Sequence, residues 1–195
     1  GCTNPIADNY DEEALLDDGS CLGENCSNPI ELEFPLIDFS STTQSFHNDY
    51  SFSPCDNEYM GGEDKIFTFN SNGNRIIGNI AGEWLGMHIS SVCPSDDMQD
   101  FSCEYFVGGQ NGGSIDFTVP EGQYFMIIDT NPYPDFTEFT LNMGYCIEDC
   151  LGVCNGSALL DCSGICNGNT VADECGVCGG DNSTCVDPCA TIDCI

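Results

Sequence analysis

Between residues 149 and 180 one phrase is used three times: "DCLGVCNG" from Asp149, "DCSGICNG" from Asp161 and, more loosely, "DECGVCGG" from Asp173. A unit this short, with so little apolar material, cannot bury a core of its own. Covalent cross-links are the alternative, and the chain carries 16 cysteines among 195 residues, close to the composition of a disulfide scaffold. Thiols in that number belong in an oxidising compartment unless they hold metal. Structural zinc favours two Cys-x2-Cys knuckles; only Cys175 and Cys178 have that spacing, and no histidine lies near them in the sequence. The expectation is a secreted, extracellular or cell-surface chain held by disulfides.

The tail holds Cys150, Cys154, Cys162, Cys166, Cys175, Cys178, Cys185, Cys189 and Cys194, at gaps of 4, 8, 4, 9, 3, 7, 4 and 5. Its longer gaps enclose glycine-rich loops ending in an acid, as in "CNGSALLDC". Closing a loop of that size contributes about 2 to 3 kcal/mol through the unfolded state. Nine is odd, so one of these cysteines pairs elsewhere or stays free, and Cys146 is the nearest candidate. Upstream, Cys2 with Cys21 and Cys93 with Cys103 are the expected local pairs, which leaves Cys26 for Cys55. Spacing does not decide the connectivity inside the repeats.

Charge is the second constraint. Against 33 Asp and Glu there are 2 Lys and Arg, a net charge of −31. Phosphate-bearing partners are repelled by such a chain, which excludes nucleic acid and anionic membrane surfaces. No apolar run approaches the eighteen residues of a membrane helix, and no signal-peptide pattern opens the sequence, so a soluble chain whose export signal has been removed is expected. Clustered carboxylates call for a hard cation, and calcium takes six to eight oxygens in a tolerant geometry. Candidate ligands are Asp8, Asn9, Asp11, Asp17 and Asp18, drawn together if Cys2 and Cys21 join, and Asp149, Asp161, Asp173 and Asp181, which recur along the tail. No EF-hand loop is present.

These features divide the chain into an acidic, disulfide-closed segment at 1–25, a middle segment at 26–146 and the repeats at 147–195. The middle segment holds the only Lys (Lys65), the only Arg (Arg75), the only Trp (Trp84) and both histidines. In "WLGMHIS" Leu85, Met87 and Ile89 share one face, with Trp84, Gly86 and His88 on the other; "SIDFTV" alternates in the same way. Further strands are read in "KIFTF", "NRIIGNIA", "QYFMIID" and "TEFTLNM", separated by turns such as "NSNGN" and "GGQNGG". The expected fold is all-β, an antiparallel sandwich of about seven to nine strands flanked by small irregular disulfide-rich ends.

Several stretches also carry resemblances. "CSNPIELEFPLIDFSSTTQSFHNDY", "GGEDKIFTFNSNGNRIIGNI", "GMHISSVCP" and "GQYFMIIDTNPYPDFTEFTLNMGYC" resemble a bacterial pre-peptidase C-terminal domain over about 120 residues. That resemblance implies a noncatalytic, jelly-roll-like sandwich attached to secreted enzymes and surface proteins. "GCTNPIADNYDEEALLDDGSC" is similar to a module, often in tandem, of secreted Bacteroidetes proteins, with Asn4 and Asp11 as departures. "DECGVCGGDNSTC" resembles the Cys-Gly-rich tails of such proteins and, distantly, thrombospondin calcium repeats, whose regular Asp-x-Asp-x-Asp-Gly core it lacks.

Catalytic signatures are missing from the sequence: there is no Gly-x-Ser-x-Gly elbow, no His-Glu-x-x-His and no phosphate-cradling loop. His47 and His88 belong to no recognisable constellation, and Glu63 and Asp64, as neighbours on a strand, point to opposite faces. Trp84, Tyr105, Tyr124 and Tyr133 would make a sugar platform only if one sheet exposed them together, and burial is the better use of them in a small sandwich. Asn155 and Asn182 head glycosylation sequons. The function expected is structural: a calcium- and disulfide-stiffened surface or fibre subunit, associating head to tail with itself or with neighbouring modules of the same chain. The alternative is an accessory module of a secreted hydrolase that binds glycan or protein substrate.

Overall fold

The structure, a computed structural model, describes residues 1–51, 53–55, 58–93 and 102–185. Residues 1–145 form one compact unit and residues 146–195 a second. The described residues contain nine strands and no helix.

In the first unit β1 (Ile30–Leu32), β3 (Lys65–Ser71), β8 (Gly122–Thr130), β5 (Leu85–Ser90) and β6 (Tyr105–Gly109) form one sheet, in the order β1-β3-β8-β5-β6. The second sheet runs β2-β9-β4-β7, from β2 (Leu36–Thr42), β9 (Glu138–Tyr145), β4 (Ile76–Gly82) and β7 (Gly113–Phe117). The antiparallel pairs nest: β2 with β9, β3 with β8, β4 with β7, β5 with β6. That is a long hairpin rolled up on itself, the winding of a jelly roll. One pair departs from the antiparallel expectation. β1 lies parallel to β3, because the chain crosses from one sheet to the other between Leu32 and Leu36.

Between the sheets lie Phe67, Phe69, Ile76, Ile80, Leu85, Met87, Ile89, Ile115, Met126, Ile128, Leu141 and Met143, all buried. The alternation read from Leu85, Met87 and Ile89 therefore marks the core face. The opposite face of the five-stranded sheet is covered as well, by the described residues of the segment 43–64 that connects β2 and β3. Its Tyr50 and Met60 pack on Ile66 and Ile127, beside Cys26 and Phe125. This cover explains why every residue of β5 is buried, His88 included.

Residues 1–25 share the first unit with the sandwich. Cys2, Ala7 and Cys21 cluster with Phe46 of the covering segment, and the Asn4 amide donates to Ser45 O at 2.9 Å. Lys65 Nζ sits 4.4 Å from the centre of the Phe46 ring.

Candidate functional site

The tail is the most regular part of the molecule, and each recurring position of its phrase has a job within a twelve-residue turn. Asp149 Oδ1 accepts the N–H groups of Leu151 and Val153 at 2.9 and 3.0 Å, and its Oδ2 accepts Ala158 N at 3.1 Å. Asp161 does the same with Ser163, Ile165 and Thr170, at 2.9, 2.9 and 3.1 Å. Asp173 repeats it with Cys175, Val177 and Asn182, at 3.1, 2.7 and 3.2 Å. The backbone agrees: Asp149 N bonds Val153 O, Asp161 N bonds Ile165 O and Asp173 N bonds Val177 O.

Gly152, Gly164 and Gly176, three residues after each aspartate, have φ of 75°, 80° and 82°, where a β-carbon is disfavoured. Asn155 and Asn167 enter the same left-handed region, which Asn tolerates best among side-chain-bearing residues. The aspartate thus replaces a core by satisfying three backbone donors with one anion; the Val153 N–H first among them holds the Asp149 carboxyl below the usual carboxylate range, and the Ser163 hydroxyl followed by the Ile165 N–H does so for Asp161. Asp181 bonds Ser183 N instead, at 3.0 Å, so it stands outside the series.

Disulfides join the turns: Cys146–Cys154, Cys150–Cys166, Cys162–Cys178 and Cys175–Cys185. Each loop begins before the previous one closes, so from Cys146 to Cys185 every peptide bond lies inside at least one disulfide ring. Cys146 pairs with the first repeat, and Cys189 and Cys194 lie outside the described residues.

In the first unit Cys2 joins Cys21, but the other local pairs do not form. Cys26 is bonded to Cys93 and Cys55 to Cys103. Sequence proximity misleads here because the covering segment lies over β5 and β6, which brings Cys55 next to the residues leading into β6: its sulfur is 3.7 Å from Tyr105 O. Inside the N-terminal segment the candidate ligands hold the local backbone. Asn9 bridges Ser20 O and Leu22 N at 2.7 and 2.8 Å. Asp17 accepts Thr3 Oγ1 and Gly19 N, both at 2.8 Å, and its pKa is lowered, first by the Gly19 N–H. Asp11 accepts Glu13 N at 3.0 Å, Asp18 accepts Ser20 N at 3.2 Å, and Asp8 is exposed, its charge acting on Lys65.

A third cluster is one the sequence hid. Asp64 and Asp129 are both fully buried. The β3–β8 register pairs Lys65 with Ile128, so the next residues out, Asp64 and Asp129, stand opposite one another under the covering segment. Asp64 Oδ2 accepts Asp49 N and Tyr50 N at 2.7 and 2.8 Å. Asp129 Oδ1 accepts Gly62 N at 3.1 Å and the N–H of Thr130. Burial pushes the pKa of both upward, and for Asp129 the Asp64 charge adds to it. Only the length of the β3–β8 ladder could have revealed the pair, since 65 residues separate its members along the chain.

The remaining candidates disperse. His88 is buried between Ser53 Oγ at 3.0 Å and the Phe106 ring at 4.7 Å, a packing role. His47 Nδ1 pairs with Glu24 Oε1 at 3.0 Å. Tyr124 is 4% exposed and stacks on Phe69, Tyr105 stacks on Phe117, and Tyr133 is 85% exposed, so the aromatics share no platform. Asn155 and Asn182 are exposed, with their side-chain oxygens on Ile147 N and Glu174 N.

No family model matches the sequence, and no curated protein matches it. Among solved structures, the pre-peptidase C-terminal domain of a collagenase from Bacillus anthracis is similar, with 11% identity and a TM-score of 0.34, over 58% of this chain and 92% of that one. PliG of Aeromonas hydrophila, a periplasmic inhibitor of g-type lysozyme, is similar over 59% of this chain and 93% of that one, with 9% identity and a TM-score of 0.38.

Proposed function

We propose that this chain is a noncatalytic extracellular structural module, a disulfide-stiffened subunit of a surface layer or fibre that associates head to tail with copies of itself or with neighbouring modules of the same chain. The observation that carries the reading is the overlapped disulfide ladder. A tail in which every peptide bond from Cys146 to Cys185 is bridged stays joined after any single backbone cut and passes tension through sulfur. Such a device is useful where proteases and mechanical load are met and thiols stay oxidised. Calcium enters this reading as a counter-ion for the exposed acids of a chain with net charge −31, since repulsion on that scale opposes close association of copies.

Negative-stain electron microscopy of the oxidised protein tests the proposal. Ordered filaments or sheets are expected, loosening when calcium is chelated. Separate particles in both conditions overturn the fibre and leave the accessory-module alternative.

A further inference from the structure

We propose that Asp64 and Asp129 hold one proton between their facing oxygens, and that this proton latches the 43–64 segment onto the outer face of the five-stranded sheet. Each carboxyl spends one oxygen on two backbone N–H groups, and those donors come from different places. Asp49 and Tyr50, in the middle of the segment, donate to Asp64; Gly62, near its end, and Thr130 on β8 donate to Asp129. The second oxygens, Asp64 Oδ1 and Asp129 Oδ2, are buried with no donor reaching them among the described residues, and the two carboxyls interact with each other.

Two bare carboxylate oxygens opposed across a ladder, both buried, repel one another strongly. A single shared proton makes one of them a donor and satisfies both. No base intervenes. Asp49 adds a further negative charge to Asp64. Glu63 faces Asp135 and His47, Glu24 pairs with His47, and Lys65 extends to Ser41 Oγ and the Phe46 ring.

The consequence is a pH-dependent cover. The folded state keeps a proton that the unfolded chain releases near pH 4, so this contribution to stability is complete in acid and is lost as pH rises through the folded pair's elevated pKa. Above that point two anions confront each other, and the segment that shields Ile66 and Ile127 with Tyr50 and Met60 loosens. It remains tethered through Cys55–Cys103, so the opening is reversible.

Three variants separate a shared proton from other occupants. In Asp129→Asn or Asp64→Asn the amide donates where the shared proton stood, while its oxygen keeps the backbone bonds. Either single variant should fold like the parent at pH 5 and melt higher than it at pH 9, by on the order of 10 °C. In the double variant two amide N–H groups face each other, and it should melt lower than either single variant at every pH. Carbon-13 NMR of the unaltered protein gives a readout independent of folding of the variants: one of the two carboxyl carbons should keep the chemical shift of a protonated acid at pH 6. The proposal is overturned if both carboxyls titrate near pH 4, or if the parent at pH 9 is stabilised by millimolar calcium and each single variant abolishes that gain, which would make the occupant a cation.

Discussion

Gly156 lies against the carboxylate of Asp149 so closely that a β-carbon on it would stand 2.0 Å from Oδ2. The same holds for Gly168 with Asp161, at 2.0 Å, and for Gly180 with Asp173, at 2.1 Å. The glycine that closes each phrase is therefore present to let the turn fold over its own anion.

Replacing Gly168 by Ala should open the middle turn. The added methyl forces the Asp161 carboxylate off the N–H groups of Ser163, Ile165 and Thr170, leaving three donors to water. The expected result is faster hydrogen exchange at those three amides, by about tenfold or more per amide for each 1.4 kcal/mol of local stability lost. The sandwich amides of Phe67 and Met126 should be unaffected. Unchanged exchange at Ser163 and Ile165 would contradict the role assigned to the carboxylate.

Acid should undo the middle turn. The Asp161 carboxyl is held low by the Ser163 hydroxyl and the backbone N–H groups, so its contribution is present above the ordinary carboxylate value of about 4 and is lost as pH falls through the lower folded value. Amide chemical shifts of Ser163, Ile165 and Thr170 should move together, with a midpoint well below the ordinary carboxylate value. A midpoint near 4 would show that the N–H groups are not holding the anion.

Much of this was legible in the residues. Strict alternation in Leu85–Ile89 and Ile115–Val119 is a local property, so the core faces of β5 and β7 could be read without knowing their partners. The twelve-residue spacing of Asp149, Asp161 and Asp173 marked the repeat for the same reason. What escaped was set by pairing over long distances. β1, β2 and β6 went unassigned because "IELEFPLIDF" mixes acids with apolar residues on a short edge strand and its neighbour, and "YFVGG" is too glycine-rich to show a period. Cys26–Cys93 and Asp64–Asp129 depend on the covering segment and the β3–β8 ladder, and neither leaves a mark in local spacing. The backbone donors of the tail aspartates likewise appear only once the turn is closed.

Disulfide mapping distinguishes the long-range pairs from the local ones. Digestion of the oxidised protein followed by mass spectrometry should yield Cys26 linked to Cys93 and Cys55 linked to Cys103. Peptides joining Cys93 to Cys103 would refute the covered sheet. Replacing Cys55 and Cys103 together by Ser should cost about 4 kcal/mol, the loop-closure value for a separation of 48 residues, read as a lower denaturant midpoint with a steeper slope, because the unfolded chain expands once the ring is opened.

The ladder makes a sharper demand on proteolysis. Because the disulfide rings at Cys146–Cys154, Cys150–Cys166, Cys162–Cys178 and Cys175–Cys185 overlap, one cut anywhere between Cys146 and Cys185 leaves the pieces attached. Trypsin is of no use with Lys65 and Arg75 as the only basic sites, so a protease of broad specificity is needed. Brief digestion should give a product of unchanged mass, apart from added water, without reductant, and separate fragments once reductant is added. Replacing Cys150 and Cys166 by Ser leaves residues 155–161 outside every remaining ring, since the first ring then closes at Cys154 and the next opens at Cys162. A cut there should release the downstream piece without reductant, whereas cuts at 147–153 should still release nothing. Release from both regions alike would mean that the rings do not overlap as described, and the load-bearing role built on them would fall with it.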